Sequence, residues 1–171
     1  MQILMADFTT HDKTGAKGLL KAIGWSGVLV GTLDIAAAIV QTLLKGGSPI
    51  RMFQFIASGV LGDASFSGGV PSAIYGLVFH YCIAMGWTIL FFLTFPRLAF
   101  LAKNRILTGV VYGFFVWLMM NHVILPLSNT PPLAFKLIPA VISLLIIIGA
   151  VGLPLSFLAN RYYSGKYITG R

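Results

Sequence analysis

Four stretches of the chain stay apolar for longer than a soluble helix needs. They run over residues 19–44, 71–95, 106–128 and 136–158, each beyond the ~20 residues that cross a hydrocarbon core of about 30 Å. Their interiors hold no Lys or Arg. Backbone polar groups cannot be left unpaired in lipid, so these stretches are predicted as helices. The connections are short, which predicts antiparallel neighbours. The expected fold is an all-α membrane protein, a four-transmembrane-helix antiparallel bundle forming a single domain over residues 1–171.

The loop between the first two spans has a pattern of its own. Ser48-Pro49 is a helix-start signature, a residue able to cap followed by a proline suited to the first turn. Ile50, Met52, Phe53, Ile56 and Val60 then recur at helical spacing, with Arg51, Gln54 and Ser58 on the other face. A short helix over residues 49–60 cannot span, so it is expected to be amphipathic in the interface or re-entrant. Gly59 and Gly62 weaken its continuation, and residues 65–69 read as a flexible turn before Pro71-Ser72 restarts the chain.

Composition agrees with the pattern. The 171 residues are 57% hydrophobic and 9% charged, with a mean hydropathy of +0.90, against about 25% charged in an ordinary globular domain. The net charge of +8 would raise nucleic-acid binding in a soluble protein. Here the basic residues flank apolar spans, so the expected partner is the lipid bilayer and nucleic acid is set aside. Lys13, Lys17, Lys21, Arg97, Lys103, Arg105, Arg161, Lys166 and Arg171 fall on one side, and only Lys45, Arg51 and Lys136 on the other. By the positive-inside rule both termini are expected in the cytoplasm. The first span is read as an uncleaved helix rather than a signal peptide. Cys82 is the only cysteine, which precludes an internal disulfide and reads as a small buried hydrophobe.

Candidate chemistry starts at Asp34, a lone carboxylate inside the first span. An ionisable group at that depth costs roughly 2.5–3.5 kcal/mol on insertion scales and usually faces protein, water or a counter-ion. Gly24, Gly27, Gly31, Asp34, Ala38, Gln41 and Lys45 recur in steps of three and four, on one helix face. Small residues let helices approach closely, as in Gly27-x-x-x-Gly31. The opposite face, with Val28, Leu29, Leu33 and Val40, is left for lipid. Helix three repeats the theme in Gly109, Gly113, Trp117 and Asn121, and helix two in Ala73, Gly76, His80, Ala84 and Trp87. Helix four carries no such stripe and is expected to face lipid broadly.

At ~1.5 Å of rise per residue, Asp34 lies about 15 Å, His80 about 13 Å and His122 about 9 Å below the outer helix ends. With Asn121 beside His122, these residues are expected to face one outward-opening polar cavity, with Arg51 of the short helix as lid or counter-charge. Asn129 and Thr130 of the turn between helices three and four are candidates for its rim. An acid beside an imidazole can exchange a proton near neutral pH, which suits proton, ion or small-solute transport, a channel, or pH-responsive activity through that cavity. His80 and His122 on different helices could alternatively hold a b-type haem or a transition metal, although no cofactor is required by the pattern. The remaining reading is structural: polar groups hydrogen-bonded across the bundle of an accessory subunit, with glycine faces available to a homo-oligomer or a membrane-protein partner. Enzyme signatures are missing; the chain has no Gly-x-Ser-x-Gly, phosphate loop, metalloprotease helix or paired carboxylates.

The run Gly27 to Asp34, the segment Ser48-Pro-Ile-Arg-Met-Phe53, the His-bearing second span and the third span ending in Asn121-His122, Pro126-Leu127 and Thr130-Pro-Pro132 resemble the YagU-like family of bacterial inner-membrane proteins of uncharacterised function. The resemblance implies a multi-pass protein of the bacterial cytoplasmic membrane. It implies no activity, and so no catalytic residue is carried over.

Overall fold

The computed structural model describes residues 2–97, 104–132, 134 and 136–169, with residues 2–14 and 165–169 as backbone alone. The described residues are helical with no strand. In chain order they form α1 (Gln2–Leu44), α2 (Pro49–Leu61), α3 (Gly69–Thr94), α4 (Arg105–Leu127) and α5 (Leu137–Ser164). Four of these helices contain spans long and apolar enough to cross a membrane; α2 is the short one. The chain is thus an all-α, multi-pass membrane bundle. Of the basic residues that set the expected orientation, Lys103 and Arg171 lie outside the described residues, and Lys13 and Lys166 are described by backbone only.

Local chemistry sets the helix ends. Gly46, at φ 70°, closes α1 in the left-handed conformation that glycine adopts without a Cβ clash. Its N–H donates to the Leu43 carbonyl at 2.9 Å. Pro49 occupies the first turn of α2, but the Ser48 side chain makes no capping bond. Gly62, at φ 63°, stops α2, and a short 3-10 turn over Gly62–Phe66 follows, overlapping only the start of the flexible turn expected at 65–69. Asn104 caps α4 by accepting from the Leu107 N–H at 3.1 Å.

Much of the buried apolar core lies at the end of the bundle that holds the chain termini. Phe91, Phe92 and Phe95 of α3 and Tyr112 of α4 are buried there with Val151, Leu155 and Ala159 of α5. The Phe91 and Tyr112 ring centroids are 4.5 Å apart. In so apolar a setting a phenol needs an acceptor. Tyr112 donates to the Trp87 carbonyl at 2.6 Å and Tyr163 to the Phe92 carbonyl at 2.7 Å. Ser156 donates to the Arg105 carbonyl at 2.7 Å, tying α5 to the start of α4.

Two expectations about faces need correction. Helix four faces outward broadly over its first half, where Leu137, Ile138 and Leu145 are exposed, but not over its second. Its second half is among the most enclosed parts of the chain, with Gly152, Ser156, Ala159 and Asn160 buried. Gly152 meets Gly109 and Gly113 of α4 so closely that a Cβ on it would collide with the Gly109 carbonyl. Cys82 is exposed rather than buried, on a face of α3 shared with the exposed Val78 and Ile89.

Glycines 27, 31, 109 and 113 sit at close helix contacts as their spacing predicts. A Cβ on Gly27 would lie 2.7 Å from Met85 of α3, and one on Gly31 would lie 2.9 Å from the Tyr81 ring. Gly109 and Gly113 lie against the α5 backbone at Leu153 and Ile148. Gly24 is the exception, with open space where its Cβ would stand. The glycine faces are therefore occupied within the chain itself, save at Gly24.

Candidate functional site

The residues expected in one cavity fall into three places. The first is the α1–α3 interface. Gly31 lets α3 approach so closely that the His80 Nε2–H donates to the Gly31 carbonyl at 2.9 Å. That bond fixes the ring and leaves Nδ1 as its free basic nitrogen. Asp34, one turn further along α1, is half-buried and interacts electrostatically with His80. Among the described residues no side chain stands within hydrogen-bonding or ion-pair distance of its carboxylate. Tyr81 is the other titratable group on this face of α3; its hydroxyl is 2.9 Å from the Thr32 hydroxyl, which also donates to the Val28 carbonyl at 2.7 Å.

The second place is a cavity of about 750 Å³ at the opposite end of the bundle from the termini. It lies between α1, α4 and α5, beneath α2. Asn121 and His122 line it; Asp34 and His80 do not. Gln41 of α1 and Lys45 just after it form one wall, Phe55 of α2 contributes to the roof, and Lys136, just before α5, stands opposite with Pro139 and Ser143 of α5. Trp117 donates its indole N–H to the Ser143 hydroxyl at 2.9 Å, holding α4 to α5 across the cavity lining.

The backbone of α4 is irregular at this place. Residues Met120–Ile124 form a π turn, in which the Leu125 N–H reaches the Met120 carbonyl. Such turns are frequent at functional sites. The Trp117 carbonyl, which the Met120 N–H also reaches, accepts from the Asn121 amide at 2.8 Å, one turn before His122. The His122 ring lies edge-on to Trp117 at 5.9 Å and is exposed.

The polar character of the cavity is one-sided. Lys45 and Lys136 are exposed cations at its margin, and no Asp lines it. Gln41 Nε2 is buried without a hydrogen-bond partner. A buried donor left in that state costs about 1–3 kcal/mol. Thr130 lines the cavity, whereas Asn129 turns to α2, donating its backbone N–H to the Gly59 carbonyl at 3.1 Å and its side-chain amide to the Val60 carbonyl at 3.4 Å. The turn between α4 and α5 is therefore both a cavity rim and a clamp on the end of α2.

Arg51 occupies the third place. Its guanidinium lies over the Phe66 ring, 5.6 Å from the centroid, and neither lines the cavity nor meets Asp34. The two histidines expected as haem or metal ligands are likewise apart, His80 against α1 and His122 beside the cavity. No group of three or more His, Cys, Asp or Glu side chains able to hold a metal ion occurs among the described residues. The expectation passed over Lys136, Phe55 and Ser143. Only the prolines around Lys136, which fold the chain back over the bundle, hinted at them.

The architecture defines a small helical membrane protein of four spans with a short fifth helix laid against one end. Comparison of the chain with known protein families, with curated proteins and with solved structures yields no match.

Proposed function

We propose that the protein is a proton-handling or pH-responsive protein of a bacterial cytoplasmic membrane, with both termini in the cytoplasm. The location rests on the basic residues flanking the spans and on the motif resemblance to the YagU-like family, in which we propose its membership. The activity rests on Asp34 with His80. An ionisable carboxylate in the middle of a span is a functional candidate by default. This one interacts electrostatically with His80, and imidazole is the side chain suited to proton exchange near neutral pH. The one observation that carries the reading is the His80 bond to the Gly31 carbonyl, which holds the ring on α1 one turn from a carboxylate with no hydrogen-bonding partner of its own.

Proton movement into proteoliposomes loaded with a pH-sensitive dye tests it. Wild-type protein should acidify or alkalinise the lumen faster than empty liposomes under an imposed gradient. Asp34→Asn and His80→Gln should each return the rate to that of empty liposomes while the protein remains helical and monodisperse. Wild-type rates equal to empty liposomes, or an Asp34→Asn variant as fast as wild type, would overturn the proposal. In the latter case the pair is a structural feature of an accessory subunit.

A further inference from the structure

We propose that the cavity between α1, α4 and α5 is a binding site for an amphipathic anion, a molecule with a carboxylate or phosphate head and an apolar body. The site stands independently of the Asp34–His80 pair, which does not line it. The charged side chains in its lining, Lys45 and Lys136, are both cations. The Lys45 and Lys136 ammonium groups have no carboxylate to answer them within the lining, the His122 imidazole can donate, and Gln41 Nε2 is buried with no acceptor. A cavity with that balance lacks one component, an acceptor with negative charge. Phe55, Trp117, Leu125, Pro126 and Pro139 supply apolar walls to the volume, beside the neutral polar groups of Asn121, Thr130 and Ser143. At about 750 Å³ the space falls within the roughly 300–1,000 Å³ of small-molecule sites, whose walls are mostly apolar with a few polar groups that fix orientation. The π turn at Met120–Ile124 carries His122, which lines this space. The ligand head is placed at Lys45, Lys136 and Gln41, and its body against Trp117 and the prolines.

The head can belong to an anionic phospholipid of the adjoining leaflet or to a free amphipathic carboxylate entering from water, and the experiment separates the two. Full-length protein in nanodiscs of phosphatidylcholine is titrated with dodecanoate and with dodecanol, reading Trp117 fluorescence in a Trp25→Phe, Trp87→Phe background. In a second arm, native mass spectrometry counts phosphatidylglycerol retained from mixed nanodiscs. Dodecanoate binding that outcompetes dodecanol assigns a free carboxylate, and selective retention of phosphatidylglycerol assigns the lipid. In whichever arm binds, Lys45→Gln with Lys136→Gln should weaken binding by about tenfold or more. Lys45→Arg with Lys136→Arg should restore it. Both lysines are exposed, and unchanged circular dichroism separates a lost site from a lost fold. Equal binding of acid and alcohol together with no selective lipid retention overturns the proposal, and so does a double glutamine variant that binds like wild type.

Discussion

Gly152 is a residue at which the bundle tolerates little change. The Cβ of an alanine there would fall on the Gly109 carbonyl and within 3.0 Å of Gly113. Both are backbone atoms and cannot rotate away, so α4 and α5 would have to separate. Overpacking of this kind costs about 1–3 kcal/mol, and Gly152→Ala should lower the unfolding midpoint in detergent accordingly. Gly24→Ala is the matched control. It meets open space, and alanine is favoured over glycine inside a helix by about 0.5–1 kcal/mol, so the midpoint should hold or rise. A Gly152→Ala variant as stable as wild type would mean that the close α4–α5 approach is absent in the membrane. The contrast also marks what could be read from sequence. Gly27 and Gly31 are recognisable because two small residues recur on a face with few other candidates. Gly152 lies in a run so uniformly apolar that no face stands out until its partner helix is known.

The short helix α2 shows the same limit at the scale of an element. Its existence and bounds follow from Ser48-Pro49 and from helical spacing, and both were legible. Its orientation was not. An amphipathic helix in water turns its apolar stripe inward, but Gln54, Ala57 and Ser58 are the buried residues here, while Ile50 and Val60 are exposed. Lipid removes the reason to hide apolar groups, so the small and polar face packs, and hydrogen bonds hold it. Gln54 donates its side-chain amide to the Gly69 carbonyl at 3.0 Å, the Asn129 bonds hold the other end, and the Phe53 carbonyl lies against Gly76 of α3. Gln54→Leu should therefore loosen α2 although it makes the helix more apolar. Backbone amides of residues 52–61 should exchange with deuterium faster than in wild type, with α4 and α5 unchanged. An unaltered exchange profile would show that apolar contact alone docks α2. The cavity escaped sequence reading for a related reason. Depth arithmetic placed Asp34, His80, Asn121 and His122 at similar levels, but level is not azimuth. The α1 face divides between α3 at Gly31 and the cavity at Gln41.

At the scale of the whole molecule, one end of the bundle is closed by aromatic rings and the other is held open around a cavity. The closed end carries tyrosines bonded to carbonyls of neighbouring helices, so it resists separation of the spans. At the open end α2 and the α4–α5 turn clamp each other through Asn129, and the cavity communicates with whichever aqueous phase that end meets. The excess of Lys and Arg at the closed end predicts that the open end meets the extracytoplasmic phase. Cys82 makes this measurable. It sits mid-span on an exposed face, out of reach of a reagent confined to water, so wild-type protein in intact membranes should resist an aqueous maleimide. In a Cys82→Ala background, a cysteine replacing Thr130 should react with a membrane-impermeant maleimide added outside intact cells. A cysteine replacing Asn104 should react only once the membrane is opened. Labelling in the reverse order would invert the molecule, and the cavity would then draw its ligand from the cytoplasm.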